Sequence, residues 1–194
     1  MKIDESENLK SPLRSILELL VVVVVTIVVV LLIKTFVIDQ YTVPTGSMET
    51  TIDIGDHVLA EKITPHFSAP KPQQIVTFRD PIYDPNVDKT VKTLIKRVIA
   101  VGGQTVDLRN GVVYVDNVAL DEPYTHGQLS YPIDNDMDSI GIDYPYTVPE
   151  GYIWVMGDNR ESSKDSRVFG PVAVKEVSAY AILRIWPLNR FGTL

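Results

Sequence analysis

The chain has 194 residues, 22% of them charged, a formal net charge of −7 and no cysteine. This is the size of one ordinary domain plus a short appendage. The acidic balance with scattered basic residues argues against a nucleic-acid partner, and the lack of cysteine excludes disulfides, thiolate metal sites and a cysteine nucleophile.

Residues 19–33, "LLVVVVVTIVVVLLI", contain a single polar side chain, Thr26. With Lys34 snorkelling toward headgroups, the apolar run continues through Phe36, Val37 and Ile38. Leu19 to Ile38 is 20 residues, enough as a helix to cross ~30 Å of hydrocarbon. No small-x-small cleavage pattern follows, so the run reads as an uncleaved anchor. Lys2, Lys10 and Arg14 precede it, and the positive-inside rule then leaves the N-terminus in the cytoplasm. The expected organisation is a cytoplasmic segment at 1–15, a single-pass anchor in the cell membrane at 16–38, and an extracytoplasmic domain at 39–194.

Past the anchor, continuous hydrophobicity gives way to short alternating runs. "HVLAEKI", "QIVTF", "TLIKRVIAV", "GVVYVDNVAL", "GYIWVMG" and "AYAILRIW" are rich in Val, Ile, Tyr and Trp and bounded by Gly, Pro, Asn and Asp. They predict a mostly β domain. "VVYVDNVAL" predicts a hairpin turning at Asp116 and Asn117; 64–74 and 134–143 predict loops.

In "YTVPTGSMETTI", residues 41–52, Gly46 permits a close backbone approach, and Thr45 lies on the same side of an extended strand as Ser47. Alone, the Thr-Gly-Ser tripeptide reads as a turn; as a nucleophile Ser47 needs a base. The three histidines, His57, His66 and His126, fit poorly. Asp56 and His57, adjacent on a strand, face opposite sides, and the other two lie in polar loops. In "TLIKRVIAV", Lys96 shares a strand face with Leu94, Val98 and Ala100, while Arg97 shares one with Ile95 and Ile99. Only the lysine can lose its proton, so Lys96 is the candidate base, although it also reads as a charge protecting a strand edge. The polar segment "MGDNRESSKDSRVFGPV", residues 156–172, reads either as an exposed loop or as a hydrogen-bonded buttress for a catalytic amine.

Taken together, these stretches resemble the bacterial type I signal peptidases, membrane-anchored serine proteases that remove signal peptides through a Ser-Lys dyad. "PTGSM" is similar to the family's serine box, "DIGDHVLAEK" to the next, "LIKRVIAVGG" to its lysine box and "GDNRESSKDSRVFG" to its C-terminal box; "GVVYVDNVALDEPY" and "WPLNRFG" are also similar. The spacing resembles the compact Gram-positive members. The resemblance implies a signal-peptidase β domain acting on secretory preproteins at the bilayer surface without metal or cofactor. It implies Ser47 as nucleophile, Lys96 as general base, and the Thr45 hydroxyl with the Ser47 N–H as oxyanion hole. It further implies a Ser163 hydrogen bond to Lys96, supporting charges at Asp158, Arg97, Asp165 and Arg167, and pockets lined by Tyr41, Val43, Pro44, Met48, Ile52, Leu94 and Ile95. Three positions depart from the family pattern: Thr50 replaces a proline, "AVGGQ" replaces the usual end of the lysine box, and Ser162 replaces a frequent asparagine. Two other classes fit parts of the pattern, a self-cleaving Ser-Lys protease and a non-catalytic relative that assembles surface proteins.

Overall fold

The computed structural model describes residues 12–82 and 93–194, so the expected cytoplasmic segment up to residue 11, with Lys2 and Lys10, lies outside the described residues. Contacts divide the chain into two units, one ending at Val37 and one comprising Ile38–Leu194.

The first unit carries α1 (Pro12–Phe36), of 25 residues. Its stretch Arg14–Phe36 is long and apolar enough to cross a membrane. The one hydroxyl in the apolar run is satisfied within the helix, because Thr26 Oγ1 donates to the Val22 carbonyl at 2.8 Å. The helix ends before Ile38, the residue expected to close the span. Ile38 instead opens a strand and pairs with Glu61. Both environments favour an apolar side chain, so composition alone places this boundary two residues late.

The second unit is mostly β, as expected. Its strands are β1 (Ile38–Thr42), β2 (His57–Glu61), β3 (Ile75–Arg79), β4 (Thr93–Val101), β5 (Thr105–Arg109), β6 (Val112–Val115), β7 (Val118–Ala119), β8 (Tyr146–Thr147), β9 (Tyr152–Met156), β10 (Val172–Ala173), β11 (Val177–Trp186) and β12 (Gly192–Thr193), with one short helix, α2 (Ser166–Phe169). The larger sheet runs β1-β2-β11-β3-β4-β9-β10, with β12 against β11; the smaller runs β7-β6-β5-β8. The β6–β7 connection turns where expected: Asp116 and Asn117 have φ of 52° and 66°, the left-handed pair a two-residue hairpin turn requires.

Three apolar clusters fill the unit. Val76, Phe78, Val98, Val155 and Tyr180 form the first; Ile99, Ala100, Val106, Val113, Trp154 and Met156, from strands of both sheets, form the second. Val43, Met48, Ile52, Val58, Ile75 and Ala181 form the third, around the segment that follows β1. β4 supplies all three, and it does so by breaking its own alternation. Val98 and Ala100, expected on one face, pack into different clusters because the β4–β9 register shifts between them. Such a bulge adds a residue to one strand and re-aims the side chains beyond it.

Phe78 is fully buried in the first cluster, whereas Phe67 is 84% exposed. Phe78→Ala is expected to lower unfolding stability by about 3–5 kcal/mol, and Phe67→Ala by less than about 0.5 kcal/mol, in denaturant titrations of the full chain in detergent.

Candidate active site

Ser47 lies in the turn-rich segment between β1 and β2. The segment is tied at its ends, where Val43 N–H donates to the Asp56 carbonyl (3.0 Å) and Gly55 N–H to the Val43 carbonyl (2.8 Å). Met48 and Ile52, both fully buried, hold it from below, and Ile52 N–H closes one helix-like turn onto the Met48 carbonyl at 2.8 Å. The nucleophile candidate is thus pinned by apolar burial on its C-terminal side.

Lys96 approaches from β4. Its Nζ is 2.6 Å from Ser47 Oγ and donates to its neighbour Ile95's carbonyl at 3.0 Å. Lys96 is 3% exposed and Ser47 7%. Burial pulls the amine down from an ordinary 10.5 to about 8, against the upward pull of Asp165, Asp158 and Asp80. Arg97, a supporting charge in the resemblance, pairs with Asp158. His57, the other candidate base, pairs with Gln40 through Nδ1 at 2.9 Å.

The C-terminal polar segment is a buttress and not an exposed loop. Arg97 grips Asp158 with two bonds, Nε to Oδ1 at 2.8 Å and Nη2 to Oδ2 at 2.6 Å, and Thr51 Oγ1 donates to the same carboxylate at 2.5 Å. Asp165 caps α2: it accepts from Arg167 N–H (3.2 Å), Nε (2.9 Å) and Nη2 (2.9 Å), and from Gly157 N–H (3.0 Å). Burial pushes the Asp165 carboxyl up, but Arg167 and these hydrogen bonds outweigh it and hold the group below its usual value. Arg167 also donates to the Arg160 carbonyl at 2.8 Å, and Arg160 pairs with Glu122. The Tyr124 ring lies 4.0 Å from the Arg97 guanidinium carbon, stacked beneath it. A glycine is required where the buttress meets the serine segment: a Cβ on Gly157 would sit 2.4 Å from the Ser47 carbonyl oxygen and 2.3 Å from Ser163 Oγ.

Two sets of expected roles change. Ser163 Oγ is buried but does not bond Lys96, so the expected bond is not made. The amine instead bonds to Ser47 Oγ and the Ile95 carbonyl. A cleft of about 360 Å³ beside Ser47 is lined by Pro44, Thr45, Thr93, Leu94, Ile95 and Lys96. Pro44, Leu94 and Ile95, expected to line substrate pockets, line this cleft together with Thr45. Val43, Met48 and Ile52 are core residues of the cluster beneath Ser47 rather than cleft lining, and half-buried Tyr41 bonds back to Asp39 at 3.3 Å. Thr93 is the wall residue that the sequence reading missed. It lies two before Ile95 on the same strand, so strand period alone would have found it.

The model of the family described as signal peptidase, peptidase S26, matches residues 16–186. The chain is 33% identical to a probable signal peptidase I-1 of Synechocystis sp., covering 98% of this chain and 92% of that protein. It is 33% identical to a signal peptidase I of Mycobacterium tuberculosis, over 82% of this chain and 69% of that one. It is 30% identical to thylakoidal processing peptidase 1 of Arabidopsis thaliana, over 82% of this chain and 45% of that longer protein.

The lowered value of Lys96 has a consequence for stability. Between about 8 and 10.5 the unfolded chain holds a proton that the folded chain lacks, so the buried amine opposes folding fully below that window and not above it. At about 1.4 kcal/mol per unit this opposition reaches about 3 kcal/mol. Lys96→Met, similar in length and uncharged, is expected to be more stable than the parent at pH 7 by up to that amount, with the advantage shrinking as pH rises through the window. Unfolding curves at several pH values check it; an advantage that grows with pH would contradict the burial argument.

Proposed function

The chain belongs to the signal peptidase family, peptidase S26, and is on that footing a serine peptidase that removes signal peptides; we propose that it does so with Ser47 as nucleophile and Lys96 as general base. The observation that carries this reading is the 2.6 Å contact between Lys96 Nζ and Ser47 Oγ, made by an amine that burial has lowered to about 8. A neutral Lys96 accepts the Ser47 hydroxyl proton as Oγ attacks the scissile carbonyl. The resulting oxyanion is received by the Ser47 N–H and the Thr45 hydroxyl. Lys96 then gives its proton to the departing amine, leaving an acyl-enzyme ester. A water, deprotonated by the again neutral Lys96, hydrolyses the ester and restores Ser47.

The precursor is read by an open strand edge. Thr93 to Lys96 pair with β3 on one side, Arg79 opposite Thr93 and Val76 opposite Lys96. On the other side β9 begins its pairing only at Arg97, so no described strand meets this part of the edge. An extended segment before the cleavage point adds there as a strand, with alternate side chains entering the cleft beside Leu94 and Ile95. The narrow apolar walls suit small side chains.

The direct test is incubation of the detergent-solubilised full chain with a secretory precursor, reading the new N-terminus by mass spectrometry. Cleavage is expected to rise with pH through about 8 as Lys96 loses its proton. Ser47→Ala and Lys96→Arg, which keeps the charge but cannot deprotonate, are expected to retain the fold and lose nearly all cleavage. Lys71→Arg, at an exposed site, is expected to match the parent. A cleaving Lys96→Arg chain would remove Lys96 from the mechanism.

α1 serves in this reading as a single-pass anchor with its N-terminus inside the cell and the β unit outside. Protease added to intact protoplasts is then expected to digest the chain beyond residue 40 and spare a tag at the N-terminus. A protected β unit would reverse the orientation.

A further inference from the structure

The reaction depends on where the Ser47 N–H points, and the peptide that carries it is built around the most mobile residue type. The Gly46 carbonyl and the Ser47 N–H are the two ends of one planar trans unit, so holding the oxygen aims the hydrogen. Gly46 by itself holds it poorly, because a residue without Cβ leaves the torsions on that side of the plane unrestricted. The torsions must be fixed from outside.

Asn159 supplies that restraint from a position 113 residues away in the chain. Its side-chain Nδ2 donates to the Gly46 carbonyl at 3.0 Å, and its own backbone N–H donates to the Ser47 carbonyl at 3.2 Å. One residue thus grips the carbonyls on both sides of the nucleophile. The Gly46 oxygen has one further donor, Glu49 N–H at 3.1 Å. That local bond is a turn contact that moves with the segment, whereas Asn159 belongs to the rigid stretch beginning at Asp158.

A carboxamide can face a carbonyl with either its NH₂ or its oxygen, and only the first orientation restrains Gly46. Glu49 settles the choice. Its Oε2 accepts from the same Nδ2 at 3.3 Å, so two acceptors converge on the nitrogen. Gly46 is what lets the carboxylate come so near: a Cβ there would lie 2.6 Å from Glu49 Oε2.

We infer that Asn159 is a positioning residue of the oxyanion hole, fixing the Gly46–Ser47 peptide plane, and that Glu49 keeps its amide in the donating orientation. The inference rests on the reading of Ser47 N–H as an oxyanion donor. Neither residue is among the hydrogen-bond partners of Lys96 Nζ, so each acts through the peptide plane.

The experiment uses the full chain in detergent and the same precursor, with kcat, KM, their pH dependence and the thermal midpoint measured together. Removing an oxyanion donor outright costs ~10²–10³ in kcat, and tilting one that retains the Glu49 N–H contact should cost less, roughly 10-fold or somewhat more. Asn159→Ala and Asn159→Asp, the latter of equal size but unable to donate, are each expected to lose about that factor in kcat. KM should stay within about 2-fold, and for the uncharged Asn159→Ala the midpoint of the pH profile should stay at the parent's value, because Lys96 is untouched. Asn159→Asp adds a carboxylate near Lys96, so its midpoint is not a criterion and its kcat is read on the high-pH plateau. Glu49→Leu is expected to lose roughly 3-fold alone and nothing further in the Asn159→Ala background, since the two act through one amide. A purely structural role would instead lower the thermal midpoint and give additive losses. Asn159→Asp with the parent's plateau kcat overturns the inference, as does a loss carried by KM or a shifted pH midpoint in Asn159→Ala. If both Asn159 variants fail to fold, Glu49→Leu at an unchanged thermal midpoint decides, reduced kcat supporting and parental kcat refuting. A Ser47→Ala chain that still cleaves would sink the nucleophile assignment, and this inference with it, whereas an inactive Ser47→Ala beside fully active Asn159 variants would sink this inference alone.

Discussion

The proposed active site depends on an amine removed from water. Lys96 is useful as a base only while its ammonium form is disfavoured, and burial is what disfavours it. Yet the same interior contains Asp158 and Asp165, each of which pulls the amine back toward the charged state. Left unpaired, either carboxylate would undo what burial achieves. The structure answers each with an arginine: Arg97 holds Asp158 by two short bonds, and Arg167 holds Asp165 through Nε and Nη2. Buried ion pairs of this kind contribute little net stability against apolar replacements, because both partners are desolvated. In the proposed reaction their role is electrostatic: they deliver hydrogen-bonding carboxylates to the polar segment, each paired with a guanidinium that opposes its pull on Lys96.

The same pairs explain the reach of the polar segment. Asp158 touches both Arg97, on the lysine's strand, and Thr51, in the serine's segment. Asp165 fixes Gly157 through its N–H, and Gly157 is the residue whose missing side chain lets the Ser47 carbonyl and Ser163 crowd in. Farther out, Arg167 reaches the Arg160 carbonyl, and Arg160 reaches Glu122 in the loop after β7. The smaller sheet is therefore coupled to the catalytic one by hydrogen bonds as well as through the shared apolar cluster around Trp154. A chain this acidic can carry such a set of arginines inside because each is matched locally.

Much of this was legible in the sequence, and the boundary of legibility is physical. Strand periodicity placed Lys96 among apolar neighbours, and the chemistry of arginine then separated it from Arg97. The Asp-Asn pair gave the hairpin because left-handed backbone is a local property. What failed were inferences requiring a third dimension. Ile38, counted with the apolar run, lies on a strand beyond the end of the helix. Ala100 leaves the face of Val98 because of a bulge that no local pattern signals. Val43, Met48 and Ile52 look like pocket walls in one dimension, yet they support the cleft from beneath. Ser163 carries a hydroxyl suited to bonding an amine, but that bond requires a tertiary approach that sequence does not show, and here it is not made. Asn159 was in view within a quoted motif, but its partners lie more than 100 residues earlier.

One departure from the family pattern acquires a meaning from these contacts. Where Thr50 replaces a proline, the turn after the nucleophile loses a residue that would restrict its own backbone. Restriction comes instead from donors outside the turn. Arg190 Nη2 reaches the Thr50 carbonyl at 3.2 Å, Arg184 Nη1 reaches the Thr51 carbonyl at 2.5 Å, and Arg190 is itself braced by Asp53 and Asp56. Both arginines come from β11 and the "WPLNRFG" stretch, so a segment far from the serine in sequence reaches the turn that follows it. A carbonyl in a turn must find a donor in the protein or in water. Partly buried guanidinium groups meet that requirement in place of water, so the turn's geometry is set by the tertiary fold as well as by the turn's own residues.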